Sequence, residues 1–457
     1  MEYSVLNQLI RGISLTTILV ALYLTASALY NVFFHPLRHF PGPALAKVSV
    51  LWKLIGNLQG RKAHRIHEAH LQYGPVVRVA PNELSFSSPA AVKDIYSSSA
   101  FAKEQRFYSA KRIFHENHLL SFRDNRAHRQ RQKLLQRGFS QASLLEFEAA
   151  MASKIQVLLD QFARVTQPID VLPWAHALGF DTIYHLMFDE DPGSLREGRP
   201  HWIMGSMRAW RPTFIYKELC PPLEKLGPYV PGYIGGYFRQ VQRWKTFALD
   251  IIKSCRVRGT KTPFLTNALA GVDGALGRPL TDSELAEECM GGMFGGSGTT
   301  ANTFIYILWA VLRRPAVQKR LRDELLEAFP DRQAVPGATE CAKLPYLQAV
   351  ISETLRRYPT IIATLPRVAV RDAEVAGVPV RKDVSPYAHS LCLWIRLIPV
   401  VQTVVGVQNY TIHRDEAAFP EPEAFVPERW LSKEGEDLRK NAFNAFSVGQ
   451  RSCIGIK

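Results

Sequence analysis

Cysteine is scarce in this chain. Cys220, Cys255, Cys289, Cys341, Cys392 and Cys453 are the only six in 457 residues, and no two stand in a CxxC spacing. That argues against a cysteine-ligated zinc site and a dense disulfide framework, and it fits a reducing compartment. There is no internal repeat, no low-complexity tract and no nucleic-acid-binding motif. Acidic residues are the minority, 41 against 56 Lys and Arg, for a formal charge of +15. With the basic residues scattered, that excess suits an anionic membrane surface or an acidic protein partner better than a nucleic acid. What remains is ordinary globular composition, 47% hydrophobic and 21% charged, in a chain long enough for a large core or two domains. No composition shift marks a second soluble domain.

Charge is also absent from Gly12 to Phe34. A helix of that length, at about 1.5 Å rise per residue, spans a bilayer core. The stretch runs into bulky Tyr30-Asn31-Val32-Phe33-Phe34 rather than a small-residue cleavage site, so it reads as an uncleaved signal anchor over residues 1–35. Arg38, Lys47, Lys53, Arg61 and Lys62 follow it against Arg11 before it, which places the C-terminal side in the cytosol. His35-Pro36-Leu37-Arg38-His39-Phe40-Pro41-Gly42-Pro43 then forms a stiff link, because proline cannot extend a helix. Alternating residues on either side of Pro81-Asn82 predict a β-hairpin over Gly74–Ala80 and Glu83–Ser87. Helical spacing dominates from Leu144 onward, with candidate helices at Leu144–Arg164, Trp202–Trp210, Tyr237–Arg256, Ser283–Leu312 and Tyr346–Arg357. Phe101–Leu120 and the Pro-, Gly- and Tyr-rich Arg211–Gly236 read as loops.

The chemistry concentrates at Phe446-Ser447-Val448-Gly449-Gln450-Arg451-Ser452-Cys453-Ile454-Gly455. A haem iron that activates dioxygen uses a thiolate as axial ligand, because the sulfur donates electron density through the metal. Gly449 and Gly455 let backbone pass close to a flat macrocycle. Arg451 is placed to pair with a propionate, Phe446 to pack near the sulfur, and the loop is expected to stabilise a Cys453 thiolate. A single cysteine in such a loop also has a plainer reading, a buried structural thiol; four agreeing positions favour the haem reading. The loop resembles the haem-binding signature of the cytochrome P450 family at every fixed position, with Cys453 at the iron ligand. The wording Tyr-Asn-Val-Phe-Phe-His-Pro-Leu is similar to filamentous-fungal microsomal members.

The resemblance extends upstream. Gly291-Gly292-Met293-Phe294-Gly295-Gly296-Ser297-Gly298-Thr299-Thr300 resembles the family's oxygen-activation motif on the distal helix. Each glycine inside a helix costs about 1 kcal/mol relative to alanine. Four in the six residues from Gly291 therefore call for close helix packing or for a local bulge that admits dioxygen and water. The resemblance implies that Thr299, followed by Thr300, holds a hydroxyl beside the oxygen site and helps deliver protons. Gly298 stands at the motif's acidic position, so protons would come through water or another group. Glu353-Thr354-Leu355-Arg356 and Phe425-Val426-Pro427-Glu428-Arg429-Trp430 match the family's Glu-x-x-Arg and Pro-Glu-Arg-Trp segments, which implies a buried Glu353–Arg356–Arg429 ion network. Arg367 would face a propionate. His128 occupies the place of the family's propionate-binding Trp and Gln132 that of its Arg, with Arg129 or Arg131 as substitutes; a solvated basic helix that docks an acidic reductase is the other reading.

The resemblance implies a mainly α fold with a small β region behind one N-terminal transmembrane helix. The haem domain would cover 36–457 and hold haem b. It would be a monooxygenase that inserts one atom of dioxygen into an apolar organic substrate in secondary metabolism. It would sit on the endoplasmic reticulum membrane with the haem domain cytosolic. Electrons would come from NADPH-cytochrome P450 reductase, with cytochrome b5 as a further candidate donor. Two features depart from the pattern. Residues 381–402 interrupt a strand region, and the chain ends at Lys457 where the family continues in a helix behind the haem. A retained intron and a missed final exon are the expected causes. Two rival readings follow from the departures: a haem-thiolate isomerase or dehydratase without a reductase, from Gly298, and a non-catalytic homologue unable to hold haem, from the missing helix.

Overall fold

The computed structural model describes residues 2–331, 334–382 and 402–456. The chain divides into two compact units, Met1–Phe101 with Ile362–Ala417, and Ala102–Ile361 with Ala418–Lys457. Each unit is assembled from stretches far apart in sequence, so a scan for composition shifts has no boundary to find. The segment expected to be an insert lies, for 383–401, outside the described residues.

The first unit opens with α1 (Glu2–Leu29), which continues in one π-helical turn over Tyr30–Phe34. Ser14–Phe34 is long and apolar enough to cross a membrane, with a mean hydropathy of 1.7. Its side chains are mostly exposed, as a lipid-facing helix requires. The helix stops at His35, whose N–H reaches back to the Tyr30 carbonyl at 2.9 Å, directly before Pro36. In the link beyond, a Cβ on Gly42 would sit 2.4 Å from the Arg78 carbonyl oxygen, so only glycine fits between its two prolines.

The expected hairpin is present as β1 (Val76–Ala80) and β2 (Glu83–Phe86), paired antiparallel from Val76 opposite Phe86. β3 (Arg367–Ala369) is followed by a second hairpin of β4 (Ala373–Val375) and β5 (Val378–Val380). The turn of that hairpin, Ala376-Gly377, has positive φ at both residues, 48° and 79°, which suits a tight two-residue connection. β6 (Val404–Val407) runs parallel to β2 and antiparallel to β3, giving the order β1-β2-β6-β3 within this unit. β6 is buried along its whole length, which explains its unbroken apolar sequence.

The second unit is helical. Its main elements are α2 (Asn125–Leu135), α3 (Gln141–Ala163), α4 (Val171–Phe188), α5 (Trp202–Leu219), α6 (Gly232–Arg258), α7 (Asp282–Leu312), α8 (Pro315–Ala328) and α9 (Pro345–Arg357). Phe180, Trp210, Trp244, Met290 and Met293 anchor the core between α4, α5, α6 and α7. α5 and α6 each intrude on the expected Arg211–Gly236 loop: α5 carries on through Pro212 to Leu219, and α6 begins at Gly232. Proline removes one helical N–H; beside it Thr213 Oγ1 donates to the Trp210 carbonyl at 2.6 Å. Burial of Thr213 and Lys217 then holds the last turns.

α7 begins with a capping box between Thr281 and Glu284 and is an unbroken α-helix over its 31 residues. Of the two readings of its glycines, close packing rather than a bulge is observed, and the glycines divide by face. A Cβ on Gly292 would meet Met187 Sδ at 2.6 Å, and one on Gly296 would meet Ile183 Cδ1 at 2.8 Å, both on α4. Gly179 of α4 lies as close to α7, where an added Cβ would meet the Ser297 carbonyl oxygen at 2.7 Å. Close packing of α4 on α7 accounts for these positions. Gly295 and Gly298, by contrast, face open space.

Candidate active site

The cysteine loop is closed by one backbone bond, from the Cys453 N–H to the Phe446 carbonyl at 2.9 Å. Inside it Ser447 and Gly449 both adopt positive φ, 59° and 72°. Glycine takes that conformation freely, whereas serine holds it only where the surroundings require it. Cys453 is exposed and Phe446 half-buried. A Cβ on Gly455 would stand 3.9 Å from Cys453 Sγ, an ordinary contact, so the protein around it does not by itself demand glycine there.

Neighbouring protein desolvates the Cys453 thiol and pushes its pKa up, and the Gly455 N–H only partly offsets this. The motif's arginine holds the segment before α2. Arg451 Nη1 donates to the Phe122 carbonyl at 3.1 Å. Its Nη2 donates to the Arg123 and Asp124 carbonyls at 2.9 and 3.2 Å and to Asn125 Oδ1 at 2.7 Å. Among the described residues no His, Cys, Asp and Glu side chains gather into a metal-binding cluster. A lone exposed thiol of this kind fits an iron that arrives with its own macrocyclic ligands and needs one axial donor from the protein.

Arg451 ties the cysteine loop to the start of α2, and Arg129 Nη2 adds a 3.0 Å bond to Gln450 Oε1. His128, one turn into α2, is buried together with Arg131, Leu134 and Leu135, so this helix is not a wholly solvated basic face. Arg131 is not a free substitute for the missing family arginine. It is committed to Asp273 Oδ2 at 2.6 Å and Glu288 Oε1 at 2.5 Å. Arg367 lies in the first unit on β3, buried. Its Nη1 donates to the Leu365 and Pro366 carbonyls at 3.3 and 3.2 Å, and its guanidinium lies 5.0 Å from the Tyr96 ring centre.

On α7, Thr299 Oγ1 donates to the Gly295 carbonyl at 2.5 Å. The donor proton points into the helix, so the oxygen lone pairs are what the hydroxyl offers to its surroundings. Thr300 is exposed.

Glu353, Arg356 and Arg429 do come together. Arg356 grips Glu353 with two bonds of 2.8 Å, both side chains fully buried, and Arg429 Nε reaches Glu353 Oε1 at 3.3 Å. The rest of the network was not foreseen. The Trp430 indole donates to Glu353 Oε2 and the Val426 N–H to Oε1, each at 2.9 Å. Arg356 also donates to the Pro422 and Ala424 carbonyls at 2.8 and 2.9 Å, and Arg429 to that of Pro420 at 2.8 Å. The network thus holds the strand-free segment 420–430 that leads to the cysteine loop.

A second buried network was missed altogether: Arg131, Asp273 and Glu288, with Glu287 and Lys245 beside them, the last pair 3.5 Å apart. Its one sequence signal was two adjacent glutamates inside the apolar run Leu285-Ala286-Glu287-Glu288-Cys289-Met290, where every side chain is buried.

Known proteins resemble this chain over most of its length. The family profile Cytochrome P450 matches residues 41–390 and 397–457. The cytochrome P450 monooxygenase tazI of Aspergillus terreus is 30% identical over 96% of this chain and 87% of its own length. The tryprostatin B 6-hydroxylase of Aspergillus fumigatus is 31% identical over 98% and 76%. The benzoate 4-monooxygenase bphA of Aspergillus niger is 29% identical over 92% and 84%. With the signature loop, the Glu353 network and the glycine-rich helix in one mainly α chain, the protein belongs to the cytochrome P450 family and is an oxygen-incorporating monooxygenase.

Proposed function

We propose that Cys453 is the axial ligand of a haem b and that the chain hydroxylates a small apolar organic molecule in secondary metabolism. The observation that carries this is the Cys453 thiol, presented alone and exposed on a loop closed by its own N–H bond to Phe446. When bound, a thiolate-ligated haem supplies dioxygen activation, with two electrons and two protons consumed for each oxygen atom inserted and one water released. The protein's part is positional. Ser447 and Gly449 shape the loop, and Arg451 fixes it to the segment before α2. The Glu353 network holds the backbone that leads into it. Thr299, with its proton turned to Gly295, accepts a hydrogen bond from a water in the open strip left by Gly295 and Gly298. That water replaces the absent acidic residue as the proton carrier.

The names of relatives, a 6-hydroxylase and a 4-monooxygenase, support oxygen insertion into an organic substrate. We assign Arg367 and His128 to the propionates and Ser14–Phe34 to a single anchor in the endoplasmic reticulum membrane. NADPH-cytochrome P450 reductase would be the electron donor, with cytochrome b5 as a second. The test is a carbon monoxide difference spectrum of the reduced full chain. A band at about 450 nm is expected from thiolate ligation, and it should vanish in Cys453→Ala. A wild-type chain without that band would overturn the assignment.

A further inference from the structure

Away from the cysteine loop, α3, α4 and the segment 191–196 that follows α4 enclose a cavity of about 130 Å³. At the volume a water molecule takes in the liquid, it has room for about four. Its lining is charged: Lys154 of α3, Asp181 and His185 of α4, and Asp191 and Arg196 of the following segment. Asp191 and Arg196 are exposed and mark its mouth, whereas Asp181 is buried.

The hydrogen bonds around the cavity leave a remainder. Lys154 Nζ donates to Asp191 Oδ1 at 2.9 Å, Arg196 Nη2 to Asp191 Oδ2 at 2.7 Å and the Gly193 N–H to Asp191 Oδ1 at 3.3 Å. Asp191 thus occupies one of the three N–H groups of Lys154. Asp181 Oδ2 accepts from the Leu195 N–H at 2.9 Å. Among the described residues, nothing donates to the buried Asp181 Oδ1, and the buried His185 Nδ1, one turn farther along α4, has no partner either. Buried polar atoms left in this way are costly and call for an occupant. Burial pushes the Asp181 pKa up, with the Leu195 N–H, Ser194 and Lys154 pulling it back, so its carboxylate lacks positive charge at Oδ1. Burial and then Lys154 hold the His185 pKa below its usual value, which keeps the imidazole neutral at pH 7.

The charges select the ligand. Lys154 and Arg196 cancel Asp181 and Asp191, so a ligand with a net charge would leave that charge uncompensated in a half-enclosed space. The other Lys154 N–H groups suit an anionic acceptor, and Asp181 Oδ1 suits a cationic donor. Both are charge-assisted contacts, roughly twice as strong as neutral ones. We propose that this cavity binds a small zwitterion, an α-amino acid of glycine or alanine size, with its carboxylate on Lys154 and its ammonium on Asp181 Oδ1 beside His185. The site does not depend on the haem reading. Gly179, Ile183 and Met187 lie on the face of α4 that meets α7, and Asp181 and His185 lie about 200° round from it. The ligand therefore sits behind α4 and ties it to α3 and to 191–196.

The test is calorimetric titration of the full chain in detergent with glycine, L-alanine, acetate, ethylamine and glycerol. Glycine and alanine should bind with dissociation constants of about 1 mM, and the other three about tenfold more weakly or not at all. Saturating glycine should slow amide exchange in 191–196 about threefold. Asp181→Asn, which keeps an acceptor for the Leu195 N–H, should weaken glycine about tenfold. Ala150→Leu places bulk in the lining, leaves every polar group in place and should abolish binding; it carries the test where Asp181→Asn fails to fold. Acetate or ethylamine as tight as glycine would overturn the two-ended recognition, and glycerol as tight would overturn the charge argument. No binding of any of the five would mean that the cavity holds only water and would overturn the site. Glycine binding that both variants leave unchanged would place it elsewhere on the chain.

Discussion

Two buried ion networks lie in the same helical unit, and they are built in opposite ways. Around Glu353 one carboxylate serves two guanidiniums, Arg356 and Arg429, and an indole. Around Arg131 one guanidinium serves two carboxylates, Asp273 and Glu288. The first draws its partners from two motifs, 353–356 and 429–430, both readable as sequence. The second draws one residue each from α2, the 272–279 hairpin and α7, and no spacing connects them. The difference extends to what happens when the centre is removed. A stranded guanidinium cannot shed its charge, whereas a stranded carboxylate can take up a proton.

The largest effect is therefore expected at Glu353. Glu353→Ala leaves two cations facing each other in the interior and should lower unfolding free energy by about 3–5 kcal/mol, with little dependence on pH between 5 and 8. Burial already lowers the Arg429 pKa against the pull of Glu353, a sign of how much that carboxylate supports. Denaturant melts of the wild type and variant would measure it, and a loss under about 1 kcal/mol would show the network to be dispensable.

Arg131→Met should cost less, about 2–3 kcal/mol at pH 7, and the cost should depend on pH. Burial raises the Glu288 pKa even with Arg131 beside it, and loss of Arg131 raises it further. A carboxyl whose folded pKa lies above its unfolded value near 4.5 supports the fold fully below that value. The support disappears as pH rises through the folded pKa. The Arg131→Met deficit should accordingly shrink from pH 7 to pH 5 while that of Glu353→Ala stays flat. Parallel deficits would remove the distinction between the two networks.

The same contrast describes what the sequence could disclose. Local patterns pointed to the β1–β2 hairpin, the apolar N-terminal helix and the cysteine loop, and the family resemblance of its motifs to the mainly α fold and the Glu353 partners, because each of these is written in one element or one motif. The path of α5 through Pro212 and the bonds from the Ile113 and Phe114 N–H groups to Glu287 depend on what packs alongside. Arg451 is one instance: its bonds to carbonyls 122–124 join stretches that no motif connects. Glu287 and Glu288 did break an apolar run, and adjacent charges in such a run are the signal by which a buried network of this second kind is found.

Trp430→Phe sharpens the account of the first network. It removes one neutral donor from Glu353 and leaves both arginines, so the expected loss is about 1–2 kcal/mol, well short of Glu353→Ala. A loss equal to that of Glu353→Ala would mean that the indole, and not the ion pairs, carries the network.

The smallest effect tests the start of α7, from which the second network takes Glu288. Thr281 Oγ1 accepts the Glu284 N–H at 3.2 Å and the Glu284 carboxylate accepts the Thr281 N–H at 2.8 Å. Thr281→Ala removes one of these and should cost about 1 kcal/mol at pH 7. Burial pushes the Glu284 carboxyl up, but Arg278 and the two Thr281 donors outweigh it and bring it down to about 2. A depressed folded pKa gives support that is complete above the unfolded value of 4.5 and is lost as pH falls toward 2. Thr281→Ala takes away the hydroxyl donor to that carboxylate, so the gap between wild type and variant should narrow over that range. If the gap stays constant down to pH 2.5, Arg278 alone sets the Glu284 pKa and the capping hydroxyl contributes only through its acceptor bond.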